Sequence, residues 1–220
     1  MNDLYLEFAN TQIGQHLFQA LSLPKPLQLK RSENDVLSTP TGSVLIAATK
    51  NNFAIQNIFK FLSNENSSLF MARSTQETFS SAPTSFRANT KEINIESLGT
   101  QRFSSLIFDA TGFSSTSDLK SLYYTFKQVI RQIKSKGKII IIGQDPNQAS
   151  NPAHAATQGS LDGFSKSIAK EVGKKGITCN LLIIQKGAQK FVQSSLYFLM
   201  SAKAAYITGQ SITLNNNTTK

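Results

Sequence analysis

Apolar residues come along this chain in short runs separated by longer stretches of helical spacing. Val44–Ala48, Leu69–Ala72, Leu106–Asp109, Thr178–Ile184 and Ser211–Leu214 read as strands, and Lys138–Ile142 as a buried one. Ala54–Leu62, Leu119–Lys134, Ala155–Lys174 and Phe191–Ala204 place apolar side chains three or four residues apart and read as amphipathic helices. Ser74–Thr90, rich in serine and threonine, reads as a loop. Strands alternating with helices build right-handed crossovers and a parallel sheet covered on both faces. The expected architecture is α/β, a three-layer doubly wound parallel sheet.

Ahead of this pattern, Tyr5, Phe8, Ile13, Leu17, Leu21 and Leu23 recur at helical spacing until Pro24 and Pro26 stop the run. Residues 1–34 are therefore read as a helical extension and 35–220 as one domain. The stripe has to be buried, either on its own domain or against a neighbouring domain or subunit, and both possibilities stay open.

Composition narrows the functional classes. In 220 residues, 40% hydrophobic and 16% charged content is that of a globular protein. No apolar run is long enough to span a bilayer, and the opening MNDLYLEFAN lacks the basic and apolar regions of a signal peptide. A cytoplasmic protein with no membrane association is expected. The single cysteine, Cys179, rules out an internal disulfide and sits in an apolar run where a buried strand residue is expected. The two histidines, His16 and His154, are too far apart in the sequence for a metal-ligand spacing, and Asp118, Asp162 and Glu171 read as surface or helix-end charges. The formal charge of +10 is spread over Lys25–Arg31, Lys127–Lys138 and Lys166–Lys175, with no tryptophan. That spread favours a solvated surface over nucleic-acid binding, and it is compatible with an acidic carrier protein as partner.

The carboxyl ends of the strands are where an open α/β sheet places its ligands. After the first strand, a nucleotide-binding turn needs glycines so that backbone can approach a pyrophosphate, yet Ala47 to Ala54 contains none. Lys50, Asn51 and Asn52 could still attract an anion. Asp109 ends an apolar strand where such sheets place ligands, which makes it a candidate cofactor-site or catalytic carboxylate, although a turn or cap former is the favoured reading.

The segment NPAHAATQGSLDGFSKSIAKEVGKKGITCN, from Asn151 to Asn180, resembles the active-site helix of the short-chain dehydrogenases/reductases. That resemblance implies a Rossmann-like fold and a Tyr-x-x-x-Lys pair in which tyrosine gives a proton and lysine binds the nicotinamide ribose. His154 and Gln158 stand at those two positions. The family's Thr-Gly-x-x-x-Gly-x-Gly falls on Ala47–Ala54, so Ala48, Asn52 and Ala54 replace its glycines. Its Asn-Asn-Ala-Gly falls on Asp109–Gly112. Gly143 and Gln144 stand where the catalytic serine belongs, and Ser150 is the one hydroxyl between there and His154. Ile184–Gln185 replaces the Pro-Gly that opens the substrate lid, whereas Thr208-Gly209-Gln210 matches the terminal turn.

The opening YLEFANTQIGQHLFQALSLPKPLQLKR, with SLIFDATGF, GKIIIIGQDP and SAKAAYITGQ, is similar to the amino-terminal domain of high-molecular-weight 3-oxoacyl-acyl-carrier-protein reductases. In that group a degenerate domain precedes a catalytic one, and here Lys220 falls where the second would begin. The resemblance implies a non-catalytic assembly or regulatory domain, a pseudoenzyme partnered by a reductase domain or by its own copies, with no cofactor expected and NADPH if any. Two alternatives accompany it: an active NADPH-dependent reductase using His154 and a remodelled site, and an anion- or carrier-protein-binding module.

Overall fold

The computed structural model describes residues 4–23, 42–48, 52–63, 65, 67–73 and 84–216. The chain divides into two compact units, Met1–Lys30 and Arg31–Lys220. The expected boundary at residues 34 and 35 lies outside the described residues.

In the first unit the expected single helix is two, α1 (Leu4–Asn10) and α2 (Gln12–Ala20). Thr11 causes the break: its extended backbone ends the first helix, and its side chain accepts from the Gly14 amide at 3.0 Å to cap the second. Among the residues whose burial is described, those buried in the pair are Ala9, Gly14 and Phe18 rather than the stripe expected from the sequence, and Phe18 meets the Tyr5 ring edge-to-face. His16 is exposed.

The second unit is built on seven parallel strands in the order β3-β2-β1-β4-β5-β6-β7. They are β1 (Gly42–Ala48), β2 (Ser67–Ala72), β3 (Thr90–Ile93), β4 (Phe103–Asp109), β5 (Ile133–Gln144), β6 (Thr178–Ile184) and β7 (Ser211–Leu214). Between them lie α3 (Ile55–Leu62), α4 (Thr84–Ala88), α5 (Asp118–Val129), α6 (Pro152–Val172) and α7 (Val192–Met200). Side chains alternate across the sheet and feed two cores. Val44, Ile46, Ile107, Ile140, Ile142 and Leu182 join Ile58, Phe59 and Leu196 of α3 and α7. Leu45, Ala47, Leu106, Phe108, Ile139, Ile141 and Leu181 join Leu122 and Phe126 of α5 and Leu161 and Ile168 of α6. Strands buried on both faces explain the unbroken apolar runs in the sequence. This is the expected doubly wound α/β sheet.

Three boundaries differ from expectation. The stretch read as a loop, Ser74–Thr90, contains α4, and β3 begins at its end; Thr-Lys-Glu-Ile forms an edge strand paired only with β2 and so has no apolar run to reveal it. The helix expected over Leu119–Lys134 ends at Val129, because Ile133 is already paired with Phe103 in β4. The helix expected over Phe191–Ala204 keeps its α-helical part in Val192–Met200, flanked by 3-10 turns.

Early entry into β5 depends on Gly137. A Cβ there would stand 2.5 Å from Ile133 Cγ2 and 2.9 Å from the Ser104 carbonyl oxygen. Gly137→Ala is expected to destabilise the domain by about 1 to 3 kcal/mol in urea unfolding, the usual penalty for forcing atoms into a filled core. Cys179 is fully buried on β6, and burial pushes its thiol pKa up to about 12, which leaves it an inert core side chain.

Candidate functional site

Parallel topology brings the carboxyl ends of β1, β4, β5 and β6 to one edge, and most of the residues singled out in the sequence collect there. Ala48 ends β1 beside Asp109, which ends β4. Ala48 and Ala54 are buried, so their methyl groups fill space at the start of α3. Asn52 is half-buried just before that helix. Lys50 and Asn51 lie outside the described residues.

Asp109 is fully buried. Its Oδ1 accepts from the Thr111 amide at 2.9 Å and from Thr111 Oγ1 at 2.6 Å, which closes the turn after β4. Thr111 Oγ1 in turn accepts from the Phe53 amide at 2.9 Å. The carboxyl pKa is raised to about 6 by desolvation, against the opposing pull of Thr111 and of the Ala54 and Ile55 amides. Oδ2 makes no hydrogen bond within the described residues. The expectation of a turn former fits the Thr111 bonds; what the sequence did not reveal is that the same group also faces the amino end of α3.

Gln158, on α6, is 2% exposed and fully committed. Its Nε2 donates to the Ala110 carbonyl at 3.0 Å and the Phe113 carbonyl at 2.9 Å, while its Oε1 accepts from the Gln144 amide at 2.8 Å. Gln144 Nε2 donates to the Thr111 carbonyl at 2.6 Å. One neutral side chain therefore ties the turn after β4 to the end of β5. Gly143 makes this possible, since a Cβ there would lie 2.9 Å from Gln158 Oε1 and 2.7 Å from a Leu161 methyl. A serine in that position would collide with the same atoms.

His154 stands apart from this network. Asn151 caps α6 by accepting from the His154 amide at 2.9 Å, and Pro152 occupies the first turn. The ring Nδ1 accepts from the Ser150 amide at 3.3 Å, and Ser150 Oγ also lies 3.3 Å from Nδ1. Nε2 is buried without a hydrogen-bond partner among the described residues. The side chain thus belongs to the turn that starts the helix, with no carboxylate or hydroxyl on Nε2 to form a proton relay.

Further along the edge, Gln185 Nε2 donates to Asp145 Oδ2 at 2.9 Å, and the Lys186 amide donates to Gln148 Oε1 at 2.6 Å. These bonds join the ends of β5 and β6 across the place where the resemblance puts substrate. Thr111, Asp145 and Gln148 were not singled out in the sequence, which holds no periodic signal for side chains that bond across loops.

The residues present fit a nicotinamide cofactor poorly. The backbone donors at the start of α3 face Thr111 and Asp109, two methyl groups stand at glycine positions, and Gln158 has no donor left over. Among the described residues no group of three or more His, Cys, Asp or Glu could hold a metal ion, and no helix is long and apolar enough to cross a membrane. A groove of about 660 Å³ opens elsewhere, between α5 and α6, lined by Tyr123, Phe126, Lys127, Arg131, Phe164 and Glu171 among others. It lies near the start of β5, at the opposite end of the strands from Asp109.

No protein-family model matches the chain. It is 31% identical over 129 residues to 3-oxoacyl-(acyl-carrier-protein) reductase FabG of Buchnera aphidicola subsp. Schizaphis graminum, covering 44% of this chain and 53% of that protein. It is 32% identical over 130 residues to the FabG of Escherichia coli strain K12, with the same coverage. The chain spans about half the length of the curated relatives it matches. Among solved structures, a dehydrogenase/reductase from Sinorhizobium meliloti 1021 superposes with TM-score 0.63 at 14% identity, covering 80% of this chain and 94% of that one. The Pseudomonas aeruginosa RhlG/NADP active-site complex gives TM-score 0.65 at 15% identity, covering 81% and 97%. The fold is that of the short-chain dehydrogenases/reductases, a Rossmann-like sheet, and about 44% of the chain is FabG-like in sequence.

Proposed function

We propose that this chain is a non-catalytic domain that assembles with or regulates a 3-oxoacyl-acyl-carrier-protein reductase and takes no nicotinamide cofactor itself. The observation that carries the reading is Gln158. In the position of a ribose-binding lysine stands a buried neutral amide whose two donors and one acceptor serve three backbone groups. His154 supports it, since its ring is held by Ser150 and meets no charged partner among the described residues. The partner that fits is a complete reductase domain on another chain or a second copy of this one, as the resemblance to the high-molecular-weight reductases suggests.

Titration calorimetry with NADPH and NADH at low salt tests the reading. No saturable heat at millimolar ligand is the expected result, and micromolar NADPH-selective binding would overturn it. Restoring Ala48→Gly, Ala54→Gly, His154→Tyr and Gln158→Lys together is expected to yield no ketoreduction, because the serine position is still Gly143 and the edge is still bridged by Asp145–Gln185. Robust turnover by that variant would make the chain a reductase with a remodelled site.

The groove between α5 and α6 favours a second reading, a module that binds an acidic carrier protein. It is lined by the aromatic rings of Tyr123, Phe126 and Phe164, by Glu171, and by Lys127 and Arg131, neither cation in an ion pair among the described residues. Capture of purified acyl carrier protein by the wild type and not by Arg131→Glu would support it.

A further inference from the structure

The amino end of a helix leaves amide donors unpaired and favours negative charge, which is why nucleotide phosphates settle there in open α/β sheets. At the start of α3 those donors face a side chain of the fold itself. Ala54, at the helix start, provides no side-chain cap. The Phe53 amide goes to Thr111 Oγ1 at 2.9 Å, that hydroxyl goes to Asp109 Oδ1 at 2.6 Å, and the Ala54 and Ile55 amides face the Asp109 carboxylate. Asp109 is fully buried, faces the helix end, and among the described residues retains an oxygen, Oδ2, with no hydrogen bond, so it has acceptor capacity to spare there.

We infer that Asp109 is the resident anion of this helix end, a carboxylate delivered by β4 that fills from inside the fold the electrostatic role a nucleotide phosphate fills from outside. The inference rests on the non-catalytic reading and adds its physical cause. Lost glycines restrict how closely a phosphate can approach, but a small anion could still meet the helix end if its field were free. With Asp109 present, an arriving phosphate meets a like charge in a poorly solvated place, and the Ala54 and Ile55 amides it would use already face that carboxylate. Exclusion of nucleotide is then chiefly electrostatic.

The test uses the whole chain with Asp109→Ala and Asp109→Asn. Inorganic phosphate, pyrophosphate and NADPH serve as probes, each against chloride at matched ionic strength, with thermal unfolding and calorimetry as readouts. The wild type is expected to show no phosphate-specific rise in Tm. Asp109→Ala is expected to gain one and to bind pyrophosphate saturably in the low millimolar range, with Asp109→Asn between the two. A folded Asp109→Ala protein, checked by circular dichroism, that gains nothing would overturn the inference and leave the proposed function intact. If the alanine variant does not fold, the isosteric asparagine variant decides by the same readouts. Tight NADPH binding by the wild type would instead remove the proposed function and the inference together.

Discussion

Gln158→Leu is expected to destabilise the domain by about 3 to 5 kcal/mol, the larger of the two main effects predicted here. Leucine is one atom shorter than glutamine and branches one carbon earlier, so it stays apolar and fits the enclosure but cannot reach any of the three backbone groups. It removes both donors and the acceptor, leaving the Ala110 and Phe113 carbonyls and the Gln144 amide without their partner. Each unsatisfied buried polar group costs roughly 1 to 3 kcal/mol, and this site is too enclosed for water to replace all three bonds. The loss would be a large part of a typical domain stability of about 5 to 15 kcal/mol. Urea unfolding with an unchanged m-value checks it. A loss below about 1 kcal/mol would mean the network relaxes, and that Gln158 is not the tie its bonds suggest.

Asp109 should give the stability curve an unusual slope. Burial raises its folded-state pKa from 3.8 to about 6, so between those values the folded protein holds a proton that the unfolded chain has released. Unfolding then releases a proton, and the contribution of this group to stability falls as pH rises through that window. The contribution is full below the lower value and lost above the upper one, by on the order of 3 kcal/mol. No charged side chain among the described residues offsets it, since desolvation is opposed only by Thr111 and by the amides of Thr111, Ala54 and Ile55. Other carboxylates titrate over the same range, so the test is a difference. The stability of Asp109→Asn relative to wild type should increase by about that amount between about pH 3.5 and pH 7.5. A constant gap, or one that moves the other way, would show that the carboxylate is solvated or paired.

Much of the fold could be read from the residues themselves. Thr178–Ile184 is a strand with the expected bounds, because a parallel strand buried on both faces leaves a continuous apolar run. Thr90–Ile93 escaped notice for the converse reason: an edge strand buries little and alternates polar side chains. Lys134 looked helical because it continues the polar face of α5, whereas the chain there already follows the β4 ladder. The site was legible as a set of substitutions, at Ala48, Ala54, Asp109, Gln144, His154 and Gln158, but their new bonds were not. The Gln158–Phe113 and Gln144–Thr111 contacts join residues far apart in sequence and follow from which loops the sheet brings together, so residue spacing carries no trace of them.

The bridges along the carboxyl edge have a consequence for motion. Gln158, Gln144, Gln185 and Gln148 tie the segments after β4, β5 and β6 to one another, so opening any one of them breaks bonds held by its neighbours. Loops that border a reactive cleft are ordinarily among the first to open, at little free-energy cost. Here the backbone amide of Gln144, which donates to a buried side chain, should exchange its hydrogen with solvent about as slowly as the strand amides behind it, so the rim and the sheet would open as one cooperative unit.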